Sequence, residues 1–415
     1  MMRALVRSSA GRWLAPNPLW LALGSHDLPR LIATDEGYSV ETLSLEPELS
    51  AGYLQFKEAI WRSFHGPWGL GPFPAGSYRG YVEVNHRMAQ QLLRHLDSYD
   101  LTYVNDFQLL LVGGLVGSAA PAILRWHIPL EFRGYPEPVR RFFLRAMEGF
   151  DAVVVSTRSA LEELIRYGYQ GRAFQVYPYL DPHEQAAVPE SEVRKFRDAH
   201  GLGDHPYVIA VGRMDPVKRQ DLVINAFAQV QRQFPDHRLV LVGGGSFSTR
   251  LARTGSAEAK DAVWDRRVRR TIQGQGLGRA IVMTGPVSNL ELRAAYQGAS
   301  VFVHPAPWEG FGLVAVEAWL HGLPIIVSRG AGVAELVTEG VNGLTVPPGS
   351  VKALATQMRH LLSDPGRAER MGAAGRLSAR RCHVNVAARR LREIFTYVTR
   401  TYRARGRAPP EQLWV

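Results

Sequence analysis

Two glutamates eight residues apart, Glu309 and Glu317, flank a Gly-x-Gly turn in the C-terminal half of the chain. The run 299–305 before this turn predicts a buried strand, and the residues from Leu313 onward predict a helix. Glu309 is then expected in the loop at the carboxyl end of the strand, with Glu317 about one and a half turns into the helix. Free N–H groups and the positive end of the helix dipole favour an anion beside them. A phosphate next to carboxylates that bind sugar hydroxyls is the arrangement expected of a nucleotide-sugar enzyme.

Two cations five residues apart form a second group that could bind the same ligand. Arg213 and Lys218 follow the apolar run 207–211 and precede a helical pattern that begins at Gln220. Open α/β sheets bind ligands at the carboxyl ends of their strands, so both side chains are expected to reach one diphosphate. The alternative is a surface loop with incidental charges. The glutamate pair in the same half favours the diphosphate site.

Polar residues also follow two predicted strands in the first half of the chain. Asp106 follows the run 101–104, and His127 follows the run 122–125. Polar groups at the carboxyl ends of neighbouring strands are typical of a ligand crevice. A single histidine is more often a structural residue, so the interpretation of His127 depends on the other polar residues at the same edge.

Short apolar runs alternate with amphipathic helical patterns along most of the chain, which predicts parallel sheets covered by helices on both faces. We therefore expect an α/β protein with two Rossmann-like, doubly wound parallel-sheet domains that face a central cleft. A chain of 415 residues is long enough for two cores. The predicted segments are a first domain at 1–182, a linker at 183–206, a second domain at 207–385, and a helix at 386–415 that crosses back to the first domain and ends in a tail.

The composition is that of an ordinary globular protein, with 46% hydrophobic and 21% charged residues. The net charge of +11 comes from scattered basic residues, and no nucleic-acid-binding module accompanies them, so we expect no nucleic-acid partner. The single cysteine, Cys382, excludes a disulfide framework and favours a cytoplasmic location. No apolar run reaches the length of about 20 residues that a transmembrane helix needs, and no signal peptide is recognisable.

The sequence predicts neither a metal site nor a resident cofactor. It has no histidine, cysteine or Asp-x-Asp pattern with metal-ligand spacing. Gly243 and Gly244 follow a predicted strand, but the Gly-x-Gly-x-x-Gly spacing is absent, which disfavours a nicotinamide site. The arginine-rich segment 246–278 is interpreted as an exposed loop and helix, with a contact to an acceptor or partner as the alternative.

Together these elements resemble the retaining GT-B glycosyltransferases over about residues 57–400. The second half is similar to glycosyltransferase family 4, in which bacterial trehalose, sucrose and glycogen synthases are found. The Glu-x7-Glu signature of that family matches Glu309 and Glu317, and its Arg/Lys pair matches Arg213 and Lys218. The first half resembles trehalose-phosphate synthases in four segments, which are Ile60–Gly66, Tyr81–Asn85, Asn105–Leu109 and His127–Pro129.

The chain also departs from that pattern in its first half. The N-terminal Gly-Gly loop of the family has no clear counterpart, the nearest segment being Leu23–His26, and Asn105 stands where a histidine is usual. Glu309 replaces the aspartate of trehalose-phosphate synthases and agrees with the broader family. These differences affect the expected identity of the acceptor more than that of the donor.

The resemblance implies transfer of a hexosyl group, expected to be glucosyl, from a nucleoside-diphosphate hexose with retention at the anomeric carbon. Glu317 would hold the ribose hydroxyls and Glu309 the sugar hydroxyls, while Arg213 and Lys218 would stabilise the departing diphosphate without a metal. The other implied roles are catalytic contact at the reacting face for His127, donor binding for Gly310, Phe311, Gly312, Leu313 and Val314, and acceptor binding for Asp106, Trp126 and Tyr81.

The sequence leaves the acceptor open. The trehalose-phosphate-synthase-like first half favours a small sugar or sugar phosphate. An envelope glycan or lipid acceptor is one alternative, and a phosphorylase of the same fold that uses a sugar phosphate without a nucleotide is another. A non-catalytic protein that binds sugar nucleotides is a third. The nucleobase, the hexose and the oligomeric state are open as well, a homodimer included.

Overall fold

The chain folds into two compact units. The computed structural model describes residues 5, 17–24, 28–66, 73–117, 119–244 and 256–405. The first unit comprises Met1–Tyr179 together with Val384–Val415, and the second comprises Leu180–His383. The predicted tail at 406–415 lies outside the described residues. No described helix is both long enough and apolar enough to cross a membrane.

The predicted linker 183–206 is not a separate segment, because it lies wholly within the second unit. Its helix, Glu190–Ala199, buries the apolar side chains of Val193 and Phe196. The backbone N–H of Val188 donates to Gln297 Oε1 at 2.9 Å, which ties the segment to the rest of the unit. The boundaries between the units fall instead at Tyr179/Leu180 and His383/Val384.

The described residues of the first unit form two sheets. Its strands are β1 (Leu19–Gly24), β2 (Leu31–Ala33), β3 (Ser39–Ser44), β4 (Thr102–Asn105), β5 (Ala122–Trp126), β6 (Ala152–Val155) and β7 (Ala173–Gln175). Strands β1, β3 and β2 form a mixed sheet in that order, and β4 to β7 form a parallel sheet in chain order. Every residue of β5 and β6 is buried, as expected of parallel strands covered on both faces.

Aromatic side chains fill much of the core beneath the helices of the first unit. These helices are α1 (Pro47–Phe64), α2 (Ala75–Leu93), α3 (Val112–Val116), α4 (Glu137–Glu148) and α5 (Arg158–Arg166). Phe64, the last residue of α1, meets Trp126 of β5 and Phe143 of α4 edge to face, with ring centroids 5.3 and 5.1 Å apart. Such pairs contribute about 0.5–1.5 kcal/mol beyond the apolar area that they bury.

The second unit is built on one parallel sheet of six strands. These are β8 (Tyr207–Val211), β9 (Arg238–Val242), β10 (Ile281–Gly285), β11 (Val301–His304), β12 (Ile325–Ser328) and β13 (Leu344–Val346). Their spatial order is β10-β9-β8-β11-β12-β13. This is the doubly wound order 3-2-1-4-5-6 of the Rossmann fold, and it confirms the predicted fold class. The order reverses between β8 and β11, which are direct neighbours.

The strands of this sheet alternate along the chain with helices. The helices of the second unit are α6 (Glu190–Ala199), α7 (Gln220–Gln231), α8 (Ser256–Gly274), α9 (Asn289–Gln297), α10 (Leu313–Leu320), α11 (Val351–Ser363) and α12 (Pro365–Ser378). A capping box of Ser288 and Glu291 starts α9. Val223 and Phe227 of α7 are fully buried in the core of this unit.

The last described helix, α13 (Val384–Arg405), belongs to the first unit. Its apolar residues pack in one core cluster with Ile123 of β5, Ala152 and Val154 of β6, and Tyr179. The helix residues in this cluster are Val384, Ala387, Ala388, Leu391, Ile394 and Val398, which recur at helical spacing. The helix therefore completes the hydrophobic core on one face of the β4–β7 sheet.

Candidate functional site

The loops after β8 and β11 lie at the position where the order of the six-stranded sheet reverses. In open α/β sheets this switch point forms the crevice in which ligands bind. A small pocket is present there, and its lining includes Gly212 and Lys218 from the first loop and His304 from the end of β11. The predicted donor residues of the second unit are on these two loops and on the helix that follows β11.

Hydrogen bonds determine the course of the loop after β8. Asp215 Oδ1 accepts from the N–H of Val217 at 3.1 Å and starts the short 3₁₀ turn Pro216–Lys218. Arg213 Nη2 lies 3.9 Å from Asp215 Oδ2. Arg219 follows with a left-handed φ of 52°, and its guanidinium pairs with Asp221 through two contacts of 2.9 and 3.1 Å. The loop is thus held by its own polar side chains.

A buried glutamine connects this loop to α8. Gln220 Nε2 donates to the carbonyl oxygen of Arg213 at 2.7 Å, and its Oε1 accepts from the indole N–H of Trp264 at 2.8 Å. Both Gln220 and Trp264 are buried. Both polar atoms of the Gln220 side-chain amide thus have a partner. These hydrogen bonds hold the backbone of Arg213 in place.

The loop after β8 also lies very close to the end of β9. Gly243 has a φ of 134°, and a Cβ there would lie 2.1 Å from the carbonyl oxygen of Gly212. The N–H of Gly212 donates to Val242 O at 3.0 Å, and the N–H of Met214 donates to Gly244 O at 2.9 Å. Only glycine at position 243 permits this close approach of the two chain segments.

The loop after β11 is clamped by the residues that follow β12. The N–H of Glu309 donates to Gly330 O at 3.2 Å, and Glu309 O accepts from the N–H of Gly332 at 3.0 Å. Phe311 is buried, and its carbonyl oxygen accepts from Val333 N–H at 2.7 Å. The clamp holds the loop backbone on both sides of the Glu309 side chain.

A glycine with a positive φ starts helix α10. Gly312 has a φ of 94°, and a Cβ there would lie 3.3 Å from His304 Nε2. Gly310 and Phe311 precede it in the loop, and Leu313 and Val314 are the first two residues of the helix. The predicted donor segment therefore forms the N-terminal end of a helix beside the pocket, where an anion is favoured.

Lys218 and Glu309 form an ion pair between the two loops. Lys218 Nζ donates to Glu309 Oε2, and His304 Nε2 lies 3.6 Å from the same oxygen. Both partners of the pair are largely shielded from solvent. Burial alone raises the pKa of Glu309, but the charges of Lys218 and His304 outweigh it, so the pKa lies well below its usual range. Glu309 is therefore a carboxylate, an acceptor for hydroxyl groups.

Glu317 lies on α10 and is hydrogen-bonded to the neighbouring helix α9. Tyr296 O–H lies 2.9 Å from Glu317 Oε2 and 3.2 Å from Val314 O. Burial raises the pKa of Glu317, and the hydrogen bond from Tyr296 opposes that rise. The tyrosine ring also stacks on His321, with centroids 5.5 Å apart. These contacts hold the carboxylate in one orientation on the first turns of the helix.

In the first unit, the structure brings Asp106 and His127 together at the ends of β4 and β5. Asp106 Oδ1 accepts from the N–H of His127 at 2.6 Å and from that of Ile128 at 3.4 Å. Burial raises the pKa of Asp106 to about 6, although these N–H donors and the charge of Arg125 oppose it. The φ of Asp106 is 60°, a strained value for a residue with a side chain.

His127 itself is neutral at physiological pH. Its Nε2 lies 3.1 Å from Asn105 Oδ1. Burial, assisted by the charge of Arg125, lowers the pKa of His127 to about 3. A neutral imidazole exchanges hydrogen bonds with hydroxyl groups without a change of charge.

The expectation that Tyr81 and Trp126 contact an acceptor does not agree with the structure. Tyr81 is 1% exposed and Trp126 is 0% exposed, and both belong to the core cluster of the first unit. The Tyr81 O–H donates to the carbonyl oxygen of Phe107 at 2.5 Å and is thereby used inside the protein. Both residues pack against Phe107 in the loop after β4 and are not accessible to a ligand.

Four residues at the donor site were not predicted from the sequence: His304, Gln220, Trp264 and Tyr296. His304 could have been noticed, because it is the last residue of a buried strand directly before Pro305. The other three act through hydrogen bonds between distant parts of the chain, which no local spacing reveals. Among the described residues, no group of three or more histidine, cysteine, aspartate or glutamate side chains could hold a metal ion.

Comparison with known proteins agrees with the predicted fold. The chain has the GT-B fold: it is similar to a solved trehalose-6-phosphate structure from E. coli bound with UDP-2-fluoro glucose, with a TM-score of 0.76 over 91% of this chain and 92% of that one. The sequence identity is 16%, so this likeness concerns the fold alone. Residues 192–378 match the family model of the glycosyl transferases group 1.

Two relatives of known activity are similar in sequence. A GDP-mannose-dependent alpha-(1-6)-phosphatidylinositol monomannoside mannosyltransferase of Mycolicibacterium smegmatis is 33% identical over 58% of this chain and 60% of that protein. A D-inositol 3-phosphate glycosyltransferase of Xylanimonas cellulosilytica is 29% identical over 65% of this chain and 63% of that protein. The chain thus spans about three fifths of the length of these relatives.

Proposed function

We propose that this protein transfers a hexosyl group from a nucleoside-diphosphate hexose to a hydroxyl acceptor, with retention at the anomeric carbon. The observation that carries the proposal is the ion pair of Lys218 and Glu309 at the switch point of the second sheet. It puts a phosphate-binding cation and a hydroxyl-binding carboxylate at one position, beside the N-terminal end of α10. A nucleotide sugar needs these two groups side by side, because its diphosphate and its hexose are directly linked.

The donor would be held along this pocket by groups already oriented in the free protein. Glu317 would accept hydrogen bonds from the ribose hydroxyls, since Tyr296 fixes its orientation. Arg213, Lys218 and the N-terminal end of α10 would stabilise the negative charge that grows on the departing diphosphate. This is electrostatic stabilisation by preorganised groups, and it requires no metal ion.

The reaction would break the bond between the anomeric carbon and the diphosphate oxygen. An acceptor oxygen would form the new bond on the same face, and its proton would pass to the leaving diphosphate. Glu309 would bind sugar hydroxyls, and the neutral His127 would contact the reacting face. Asp106 would accept a hydrogen bond from the acceptor hydroxyl, for which a carboxylate beside His127 is suited.

For the acceptor we propose a small sugar or sugar phosphate and for the donor a glucosyl nucleotide. The trehalose-phosphate-synthase-like segments of the first half support the small acceptor. The E. coli structure with its bound UDP-2-fluoro glucose supports the donor, because its fold is similar over 91% of this chain.

A second candidate is transfer of mannose from GDP-mannose to an inositol phosphate or to a phosphatidylinositol lipid. The sequence relatives favour it, because one is named for GDP-mannose and a phosphatidylinositol mannoside, and the other for D-inositol 3-phosphate. Inositol phosphates and sugar phosphates share a ring of hydroxyl groups and an anionic group. The same pocket chemistry therefore suits both acceptor classes.

A panel of donors and acceptors tests the proposal. UDP-glucose, ADP-glucose, GDP-glucose and GDP-mannose are each combined with glucose, glucose 6-phosphate, inositol 3-phosphate and phosphatidylinositol vesicles, and nucleotide release is measured with and without EDTA. We expect release that requires one donor and one acceptor, persists in EDTA, and yields an α-linked product by NMR. Release with free sugar phosphates and no nucleotide would identify a phosphorylase instead.

Arg213→Ala, with Arg232→Ala as its control, tests the phosphate-binding loop. Arg232 is an exposed arginine at the end of α7. Loss of one preorganised donor lowers kcat by roughly 10²–10³, so we expect this loss for Arg213→Ala and unchanged turnover for Arg232→Ala. Equal turnover of both variants would remove Arg213 from the proposed role.

A further inference from the structure

A buried histidine at the donor pocket has a polar atom without a hydrogen-bond partner. His304 ends β11, is 2% exposed, and lines the pocket at the switch point. Its Nε2 is fully buried and makes no hydrogen bond. A buried polar atom left in this way costs about 1–3 kcal/mol, and most such atoms in proteins are satisfied. The position of this atom therefore needs an explanation.

The carboxylate of Glu309 lies beside this nitrogen. Nε2 lies 3.6 Å from Glu309 Oε2, which is beyond hydrogen-bond distance. That oxygen already accepts from Lys218 Nζ. A Cβ at Gly312 would lie 3.3 Å from the same nitrogen, so the start of α10 also lies against it. A shift of about 0.7 Å would bring Nε2 within hydrogen-bond distance of Glu309.

Donor binding would change the partners of Glu309. In the proposed function, on which this inference rests, Lys218 pairs with the diphosphate of the donor. Glu309 then loses its cation while it remains shielded from solvent, and a buried carboxylate without a partner is strongly destabilising. His304 Nε2 is the adjacent group that can donate a hydrogen bond in its place.

We propose that His304 is a positioning residue. When Lys218 pairs with the diphosphate of the donor, His304 replaces it as the hydrogen-bond donor to the carboxylate of Glu309. The imidazole Nε2–H would then donate to Oε2 and keep Glu309 directed at the hydroxyls of the hexose. In the free protein His304 lies beside the ion pair of Lys218 and Glu309, in which Lys218 is the partner of the carboxylate. The cost of its unpartnered nitrogen is offset only in the donor complex.

The test compares the affinities for a nucleotide with and without its sugar. Dissociation constants of UDP, UDP-glucose, GDP and GDP-mannose are measured by calorimetry for the wild-type chain and for His304→Leu and His304→Gln. Leucine has a similar size but no donor, whereas the glutamine amide can still donate to Glu309. Thermal unfolding without ligand is measured for each variant.

We expect His304→Leu to leave the dissociation constant of the bare diphosphate within about twofold of wild type and to weaken the sugar nucleotide about tenfold, the scale of one hydrogen bond to a charged group. His304→Gln should restore most of that loss. The melting temperature of the free protein should not fall in His304→Leu, because the substitution removes an unpartnered polar atom. A purely structural role predicts the opposite, a fall in stability with equal loss of both ligands.

His383→Leu is the matched control. Its Nε2 is also buried without a partner, but the residue does not line the pocket. It should leave the ratio of the two dissociation constants unchanged. If His304→Leu behaves like this control while the wild-type chain binds a sugar nucleotide, the role of His304 is refuted. If the wild-type chain binds none of the four ligands, the proposed function fails, and the inference fails with it.

Discussion

Asp106→Asn should change how the stability of the first unit depends on pH. The folded pKa of Asp106 is raised from an ordinary value of 3.8 to about 6, mainly by burial. The folded protein thus binds this proton more tightly than the unfolded chain does. The contribution of the protonated carboxyl to stability is fully present below pH 3.8 and is lost as the pH rises through 6.

The size of the effect follows from the two pKa values. The full shift is worth about 3 kcal/mol, since each pKa unit corresponds to about 1.36 kcal/mol. Between about pH 5 and pH 8, where the protein is convenient to study, linkage gives a loss of about 1.4 kcal/mol from this group. The asparagine of the variant would keep an oxygen for the N–H groups of His127 and Ile128 but would have no proton to lose.

The assay is urea unfolding, followed by circular dichroism at several pH values, of the wild-type chain, Asp106→Asn and Asp97→Asn. Asp97 is an exposed aspartate of the same unit and serves as the control. The free energy of unfolding of Asp106→Asn relative to wild type should rise by about 1.4 kcal/mol from pH 5 to pH 8. The same difference for Asp97→Asn should stay flat. A flat difference for Asp106→Asn would refute the reasoning from burial.

Three further substitutions probe the donor site of the second unit. Gly243→Ala forces a Cβ to 2.1 Å from a backbone carbonyl at a φ of 134°, so we expect roughly 3 kcal/mol less stability in urea unfolding. Tyr296→Phe leaves the buried carboxylate of Glu317 without its hydrogen bond. It should weaken nucleotide binding about tenfold in calorimetry, the scale of one hydrogen bond to a charged group. Trp264→Phe removes the indole N–H that donates to Gln220, and should lower the rate of nucleotide release more than the affinity for the nucleotide.

Each of these variants has a matched control in the same unit. Gly274→Ala adds a Cβ where no atom lies within 4 Å, so it should not destabilise the fold. Tyr207→Phe also removes a buried hydroxyl, which donates to Ala295 O at 2.7 Å, but should leave nucleotide affinity unchanged. Trp319→Phe removes an indole N–H that donates to Asn342 O at 2.8 Å, away from the loop after β8. Site and control variants with the same effects would mean that stability alone explains the results.

The sheet of the second unit was largely predictable from the sequence. Strand β8 has the predicted bounds, and β11 lies within the predicted run 299–305, because each is a continuous apolar run between polar loops. The strands β1 and β3 were not predicted, since their residues are mostly half-buried and show no clear alternation. The segment with Pro189 and Pro206 was interpreted as a linker because its prolines and mixed charges interrupt the alternation of strands and helices, and the burial of Val193 and Phe196 is not evident from the sequence.

The donor site was more predictable than the acceptor side. Lys218 and Glu309 could be assigned to one ligand in advance, because both follow strands of one parallel sheet, whose carboxyl ends meet at one edge, but their ion pair was not predicted. Tyr81 and Trp126 could not be assigned correctly from sequence alone. Aromatic residues with a polar atom occur in cores as well as at ligand sites, and the Tyr81 hydrogen bond joins residues 26 positions apart. The role proposed for His304 could not be predicted from the sequence either, since it depends on the ion pair between Glu309 and Lys218.

The return of α13 to the first unit has a consequence for the order in which the chain folds during synthesis. Leu180–His383 is one uninterrupted stretch, so the second unit can fold as soon as it leaves the ribosome. The first unit is translated earlier but cannot complete its core until later, because six apolar residues that cover Ile123 and Val154 lie beyond position 383. Until they emerge, an apolar sheet face stays exposed to chaperones and to other nascent chains. The unit whose synthesis begins first is therefore the unit that completes its folding last.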